Sequence, residues 1–278
     1  MEYYIVDAFA EAPFGGNPAG VVLLGDGVFP EARLMQLIAA ELRYSETVFV
    51  RQLAEREFAL RYFTLLHEVE LCGHATIAAF VLLHRKGLAS GACLCHTQAG
   101  ALRVEAAERV MMQMAAPRIV STISEVEPLY RAVGLTGYRP ALPVQVAYAG
   151  LADIMLPVSD LPALNALQPD MEAIAALTEH HGAVSLHPFA FAADGHTAHV
   201  RDFAPRYGVP EEAATGTANA ALTFYLWRCG CVEIGAECAF VQGETMGRPS
   251  VVRTQLRAET QLFVGGTAVV LAQGQLLL

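Results

Sequence analysis

The chain is poor in several things that would place it in a known class at once. It has one Trp, and its 18 Lys and Arg face 28 Asp and Glu, for a net charge of −10. The basic residues are scattered singly, so there is no positive stripe for a phosphate backbone, and nucleic acid is excluded as a partner. Although 54% of residues are hydrophobic, no uncharged apolar run is long enough to span a bilayer, which takes roughly 18 residues or more. The apolar content therefore reads as core in a soluble protein, with no membrane partner. The first residues, Met1-Glu2-Tyr3-Tyr4-Ile5-Val6-Asp7, carry acid where a signal peptide carries base, so the expected location is the cytoplasm. Cysteine is present six times, but as two C-x-C pairs (Cys93 and Cys95, Cys229 and Cys231) with Cys72 and Cys238 apart, and never as C-x-x-C. Neither zinc-ligand spacing nor a secreted disulfide framework results, and buried thiols are the simpler reading of the two pairs. His180, His181 and His187 are equally unsupported as ligands. Low-complexity segments and long linkers are missing too.

What is present is one motif used twice. Residues 71–87 open with a small-residue turn, Leu71-Cys72-Gly73-His74-Ala75-Thr76, and continue as a helix apolar on nearly every side. It stops at Gly87 with Arg85 and Lys86 in its last turn, matching the helix dipole. Its first turn carries a thiol, an imidazole and a hydroxyl beside unpaired backbone N–H groups, which suit an anion. Residues 215–230 repeat the design: with Gly87 placed on Gly230, Gly73 falls on Gly216, Ala75 on Ala218, Ala78 on Ala221 and Arg85 on Arg228. The lead-ins match as well, Arg61-Tyr62-Phe63 and Arg201-Asp202-Phe203. This is a two-fold internal repeat at about half the chain length.

The flanking patterns are mostly strands. Alternation and turn chemistry predict strands over 3–9, 19–24, 45–50, 58–63, 92–97, 102–106 and 109–114 in the first half, with a helix over 31–42. Pro13-Phe14-Gly15-Gly16-Asn17-Pro18 is a turn, and Asn17 gains interest only if that turn lies beside a helix mouth. In the second half, 121–134 reads as a helix-like connector and 169–180 as a helix. Strands are predicted over 143–148, 154–158, 184–192, 197–203, 237–242, 250–256, 261–264 and 267–273. Glu46 shares its strand face with Val48 and Val50. A carboxyl there either points out at a strand end or sits desolvated with a raised pKa, suited to proton transfer near neutrality. The loop before the second helix delivers two adjacent carboxylates, Glu211 and Glu212.

Six segments in order then resemble the PhzF family of phenazine-biosynthesis-like proteins across essentially the whole chain. They are Asp7-Ala8-Phe9 with Phe14-Gly15-Gly16-Asn17-Pro18-Ala19-Gly20-Val21, Ser45-Glu46-Thr47-Val48-Phe49, Arg61-Tyr62-Phe63-Thr64 with Glu68-Val69-Glu70-Leu71-Cys72-Gly73-His74-Ala75-Thr76, Phe203-Ala204-Pro205, Ala214-Thr215-Gly216-Thr217-Ala218, and Gln242-Gly243 with Gly247-Arg248-Pro249-Ser250. The resemblance implies an α/β (α+β) diaminopimelate-epimerase-like fold. Its two pseudo-repeated domains each wrap a curved, barrel-like sheet around a central helix, with the active site in the cleft between them. The boundaries that follow are 1–118 and 119–264, with a last strand over about 265–278 packing with the first. A homodimer, no cofactor and no metal are also implied.

In the family, the glutamate of Ser-Glu-Thr, here Glu46, is the general acid/base, and the histidine of Cys-Gly-His-Ala-Thr, here His74, lies in the same site. Glu212 stands where the family usually has an aspartate, and Ala213 where it has a proline, giving a carboxylate one methylene longer on a looser loop. Cys72 matches one of the two catalytic cysteines of the epimerase relatives, but the second position holds no Cys, which disfavours a two-thiol racemase. The expected chemistry is a proton shift on a small carboxylate-bearing metabolite. Glu46, His74 and Glu212 form the catalytic set, and Asn17, Cys72, Gly73, Thr215, Gly216 and Thr217 form the binding set. His74 is expected as a neutral imidazole, its pKa depressed by the helix dipole. The competing readings are an epimerase or racemase on the same scaffold and a non-catalytic carboxylate-binding protein.

Overall fold

A computed structural model describes residues 1–278, and the chain divides into two compact units, Met1–Gln113 with Gly265–Leu278, and Met114–Val264. Both are mixed α/β, with many strands and few helices.

In the first unit, Glu2–Ala8 lies between Asn17–Leu23 and Ala268–Gln275, antiparallel to both. The sheet continues through Glu46–Ala54, parallel to Asn17–Leu23, then antiparallel Glu57–Phe63, then parallel Gly91–Thr97, and ends with the antiparallel strands Gly100–Ala106 and Val110–Gln113. Around the helix Gly73–Arg85 this sheet curves so far that strands from both of its ends touch the helix. Residues His74 to Leu83 are all buried, which is what a helix apolar all round demands. Phe80 meets Phe58 edge to face at 5.4 Å. Each fully buried side chain of this size contributes about 1.5–3 kcal/mol of transfer free energy.

The second unit repeats the plan. Arg118–Thr122, Gln145–Tyr148 and Ala152–Pro157 form an antiparallel ladder. Ser185–Phe191 then runs parallel to Ala152–Pro157 and antiparallel to Ala198–Val200. Glu237–Gln242 follows parallel to Ala198–Val200, with Ser250–Ala258 antiparallel beyond it. The helix Gly216–Arg228 packs on this sheet with all but Thr217, Trp227 and Arg228 buried.

The two helices agree in detail. Each has 13 residues and ends just before a Gly with positive φ, Gly87 at 71° and Gly230 at 73°. The side chain at the fourth position does the same job in both, Thr76 Oγ1 donating to Cys72 O at 2.7 Å and Asn219 Nδ2 to Thr215 O at 2.9 Å. The lead-in arginines do too. Arg61 clamps Glu68 through two bonds of 2.6 Å, and Arg201 clamps Glu211 through two of 2.8 Å, each Glu five residues before its helix begins.

Local differences from the sequence reading have simple causes. The segment 121–134 is not one helical connector: Arg118–Thr122 is an exposed edge strand and only Glu127–Ala132 is helical. Apolar residues at helical spacing from Ile123 to Val133 masked the strand before them. The strand expected from residue 19 starts at Asn17, because the chain reverses earlier, at Gly16, with φ of 64°. A Cβ there would sit 2.1 Å from Ala8 O, so only Gly fits. Strand 197–203 is shorter than expected, Ala198–Val200, since Arg201 and Asp202 turn their side chains to the loop that follows. No helix is long and apolar enough to cross a membrane.

Candidate active site

In the first unit the parallel register sets Ala19 opposite Glu46, leaving Asn17 at the same end of the neighbouring strand. That end faces the start of the helix, where Cys72 is the N-cap and no side chain caps the first turn. His74 Nε2 lies 3.2 Å from Glu46 Oε2, and His74 Nδ1 lies 3.4 Å from Cys72 Sγ and 3.3 Å from Asn17 Nδ2. Asn17, Glu46, Cys72, Gly73 and His74 are thus one cluster, with His74 at its centre and only 6% exposed.

The charge state differs from the sequence reading. Burial opposes a charge on the His74 ring, but the Cys72 sulfur and the Glu46 carboxylate outweigh it, and the pKa lies well above its ordinary value. A nearby carboxylate acts more strongly than the partial charge of a helix end. Burial likewise opposes charge on Glu46, yet the hydrogen bond and charge of His74, with Ser45, leave its pKa below the usual value instead of above it. Glu46 is therefore an ionised carboxylate beside a positively charged ring. The Asn17 amide, with Nδ2 toward Nδ1, suits a neutral ring, whereas the charge balance favours imidazolium, which needs the amide turned to present Oδ1. The charge balance decides between them, because the two ends of an amide are nearly the same shape and exchange places without moving the rest of the side chain. In both states Nε2–H donates to Glu46 Oε2. Burial raises the Cys72 thiol, while the charge of His74 acts in the opposite direction. One oxygen, one nitrogen and one sulfur within 4.8 Å of each other have the composition of a zinc site, although here they already bond to one another.

In the second unit the loop 211–215 brings Glu212 to the start of the helix Gly216–Arg228, whose N-cap is Thr215 and whose first turn is also uncapped by side chains. Thr215 Oγ1 is 2.6 Å from Glu212 Oε2. Gln242 ties this loop down: its Oε1 accepts from Thr215 N at 3.0 Å and from Asn219 Nδ2 at 2.8 Å, and its Nε2 donates to Glu212 O at 2.8 Å. Ser250 Oγ donates to Ala213 O at 2.6 Å. Thr217 lies in the first turn, partly exposed. Glu212, Thr215, Gly216 and Thr217 are therefore also one cluster.

The motif residues Gln242 and Ser250 hold the Glu212 loop, a role the sequence did not assign. Asp202, Ser185, Asp153 and His187 form a buried chain behind it that sequence reasoning missed. The available signal was Asp202 itself, an acid in a lead-in where the first half has Tyr62.

A family model described as phenazine biosynthesis-like protein matches residues 6–274. The chain belongs to that family. Among its relatives is the trans-2,3-dihydro-3-hydroxyanthranilate isomerase of Pseudomonas chlororaphis, 32% identical over 293 residues that cover 99% of each chain. Among solved structures, a PhzF-family phenazine biosynthesis protein of Bacillus anthracis superposes with a TM-score of 0.88 at 27% identity, covering 100% of this chain and 99% of that one. A hydroxyproline epimerase of Agrobacterium vitis matches with a TM-score of 0.64 at 12% identity, covering 99% of this chain and 90% of that one, which shows the shared fold alone. With these relatives, this phenazine biosynthesis-like protein is an isomerase at the level of its family.

Proposed function

We propose that this isomerase catalyses a cofactor-independent proton shift on a small carboxylate-bearing metabolite, with Glu46 as the base. The observation that carries the reading is the contact of the half-buried Glu46 with the buried His74 beside an uncapped helix start. Glu46 removes a proton from an activated carbon and returns it one allylic position away. His74 Nε2–H fixes the carboxylate, and the ring's positive charge keeps it ionised until it takes the proton. Backbone N–H groups of Gly73 and His74 bind the substrate carboxylate, a helix start giving about 0.3–1 kcal/mol when exposed and up to about 2 when partly buried. Asn17 and Cys72 line the same cluster. The second unit has a like arrangement of its own, with the backbone donors of Thr215, Gly216 and Thr217 beside the Glu212 carboxyl. Substrates of the dihydro-hydroxyanthranilate class head the screen, because the Pseudomonas relative is named for one.

Incubation of candidate carboxylates in D₂O, read by NMR with the native chain and Glu46→Gln, tests the reading. Deuterium uptake with double-bond migration, lost in Glu46→Gln, supports it. Uptake at a stereocentre without migration makes the protein an epimerase or racemase instead. Binding without any exchange makes it a carboxylate-binding protein. The family resemblance further supports a cytoplasmic homodimer, and sedimentation velocity tests the dimer.

A further inference from the structure

The cluster around His74 joins a carboxylate and an imidazole to a thiol that the proton shift does not use. Glu46 begins the strand Glu46–Ala54, Cys72 is the N-cap of the helix Gly73–Arg85, and His74 stands in the first turn of that helix. His74 Nε2 is the shared corner, 3.2 Å from Glu46 Oε2 and 3.9 Å from Cys72 Sγ. Nδ1 also reaches the sulfur, at 3.4 Å, but its other neighbour is the Asn17 amide at 3.3 Å. One donor atom from each of Glu46, Cys72 and His74 lies within 4.8 Å of the other two.

A metal ion imposes separations of its own. Tetrahedral zinc holds nitrogen at about 2.0–2.1 Å, a carboxylate oxygen at about 2.0–2.2 Å and a thiolate at about 2.3 Å, so its edges are roughly 3.4 Å from nitrogen to oxygen and roughly 3.6 Å from nitrogen to sulfur. The two separations at Nε2, 3.2 Å and 3.9 Å, fall within about 0.3 Å of those edges. The third edge, from sulfur to oxygen, is no longer than 4.8 Å, and the half-buried Glu46 side chain is the one that turns to close it. A sulfur, an imidazole nitrogen and a single carboxylate oxygen favour Zn²⁺ and Co²⁺ over Mg²⁺ and Ca²⁺, which take shells of oxygen. The surroundings fit as well. With Nε2 as the ligand, the ring keeps its hydrogen on Nδ1, and Asn17 Oδ1 accepts it once the amide is turned as above.

We propose that Glu46, Cys72 and His74 form a Zn²⁺ site, and that the bound ion is an inhibitor that competes with proton transfer. Binding is an exchange of ligands without oxidation or reduction: the ion takes lone pairs from Nε2, Sγ and a Glu46 oxygen, and the hydrogens that Nε2 and Sγ carry leave to solvent as protons. Occupancy and catalysis exclude each other, because the ion holds the carboxylate that must accept the substrate's proton. The inhibition rests on the proton-shift reading above, whereas the binding does not.

The test is a titration of the full chain with Co²⁺, read by its thiolate charge-transfer band in the near ultraviolet and its tetrahedral bands in the visible. The native chain is expected to show both, and to lose both to added Zn²⁺ but not to Mg²⁺. Cys231→Ser removes the exposed thiol and is expected to match the native chain, which separates this site from the Cys229 and Cys231 pair. Cys72→Ser is expected to lose the charge-transfer band. Glu46→Gln and His74→Gln are expected to weaken Co²⁺ binding by more than the ~10–100-fold that an outer partner is worth. If Cys72→Ser does not fold by circular dichroism, the Glu46→Gln and His74→Gln pair carries the test. No thiolate band in the native chain, a band that persists in Cys72→Ser or vanishes in Cys231→Ser, or undiminished affinity in both Glu46→Gln and His74→Gln overturns the site. No substrate enters these titrations, so their failure is separate from a failure of Glu46→Gln to abolish exchange. Zn²⁺ that binds but leaves deuterium exchange at its native rate overturns the inhibition.

Discussion

Glu46 Oε2 and His74 Nε2 meet at 3.2 Å, joining the first residue of a strand to the first turn of a buried helix. Their pKa values move in opposite directions, His74 up from 6.5 and Glu46 down from 4.5, so the contact is an ion pair that depends on pH. The stability contributed by a raised His is complete below its unfolded value and is lost as pH rises through its folded value. That contributed by a lowered Glu is complete above its unfolded value and is lost as pH falls through its folded one. The pair is therefore at full strength between the unfolded values of 4.5 and 6.5. Thermal melts of the native chain and His74→Gln across pH should differ most inside that window, with the gap closing on both sides. A gap that grows steadily with pH would show that His74 folds neutral.

Cysteine reactivity should follow burial. Cys231 is exposed, whereas Cys72 is buried and its thiol is raised by that burial. Since the thiolate is the nucleophile, limiting iodoacetamide near neutral pH should label Cys231 well before Cys72, as read by peptide mass mapping. Fast labelling of Cys72 would mean an activated thiol and would favour racemase chemistry.

The loop that carries Glu212 depends on Gly243. Its φ is +79°, and a Cβ would lie 2.4 Å from Arg248 O and 2.7 Å from Ala213 O. Gly243→Ala should cost at least the ~1–3 kcal/mol of a strained backbone position. Gly247→Ala, at a similar φ of +69° but in open space, should cost less. Denaturant melts of the two variants compare the close approach with the dihedral alone.

The matching clamps should differ in strength. Arg201 and Glu211 have side chains 9% and 17% exposed, against 25% and 19% for Arg61 and Glu68. Glu211→Ala leaves a buried guanidinium and should lose toward the roughly 3–5 kcal/mol of a broken buried pair. Glu68→Ala should lie nearer the roughly 0.2–1 kcal/mol of exposed pairs, as read by urea unfolding.

The central helices were legible because a helix buried on all sides must be apolar on all sides, and because the Gly73 and Gly216 segments could be compared within one chain. The cluster of Glu46, Cys72 and His74 was placed by motif order, but its charge state was not, since neither the 3.2 Å contact nor the competition between helix dipole and carboxylate can be seen in a string of letters. Asp202 escaped for a related reason. Its partners Asp153, Ser185 and Thr215 come from three separate segments; strand register pairs only Asp153 with Ser185, and the loop before the second helix brings in Thr215. The edge strand Arg118–Thr122 escaped because its exposed residues lack the alternation that marks a half-buried strand.

The central claim is that Glu46 moves the proton. The most direct measurement is deuterium incorporation from D₂O into a carboxylate substrate by the native chain and by Glu46→Gln, with circular dichroism to show that the variant is folded. The account predicts exchange by the native chain and a loss of about 10²–10⁴-fold or more in the folded variant, the usual contribution of a positioned acid/base. Exchange by Glu46→Gln at the native rate would contradict it.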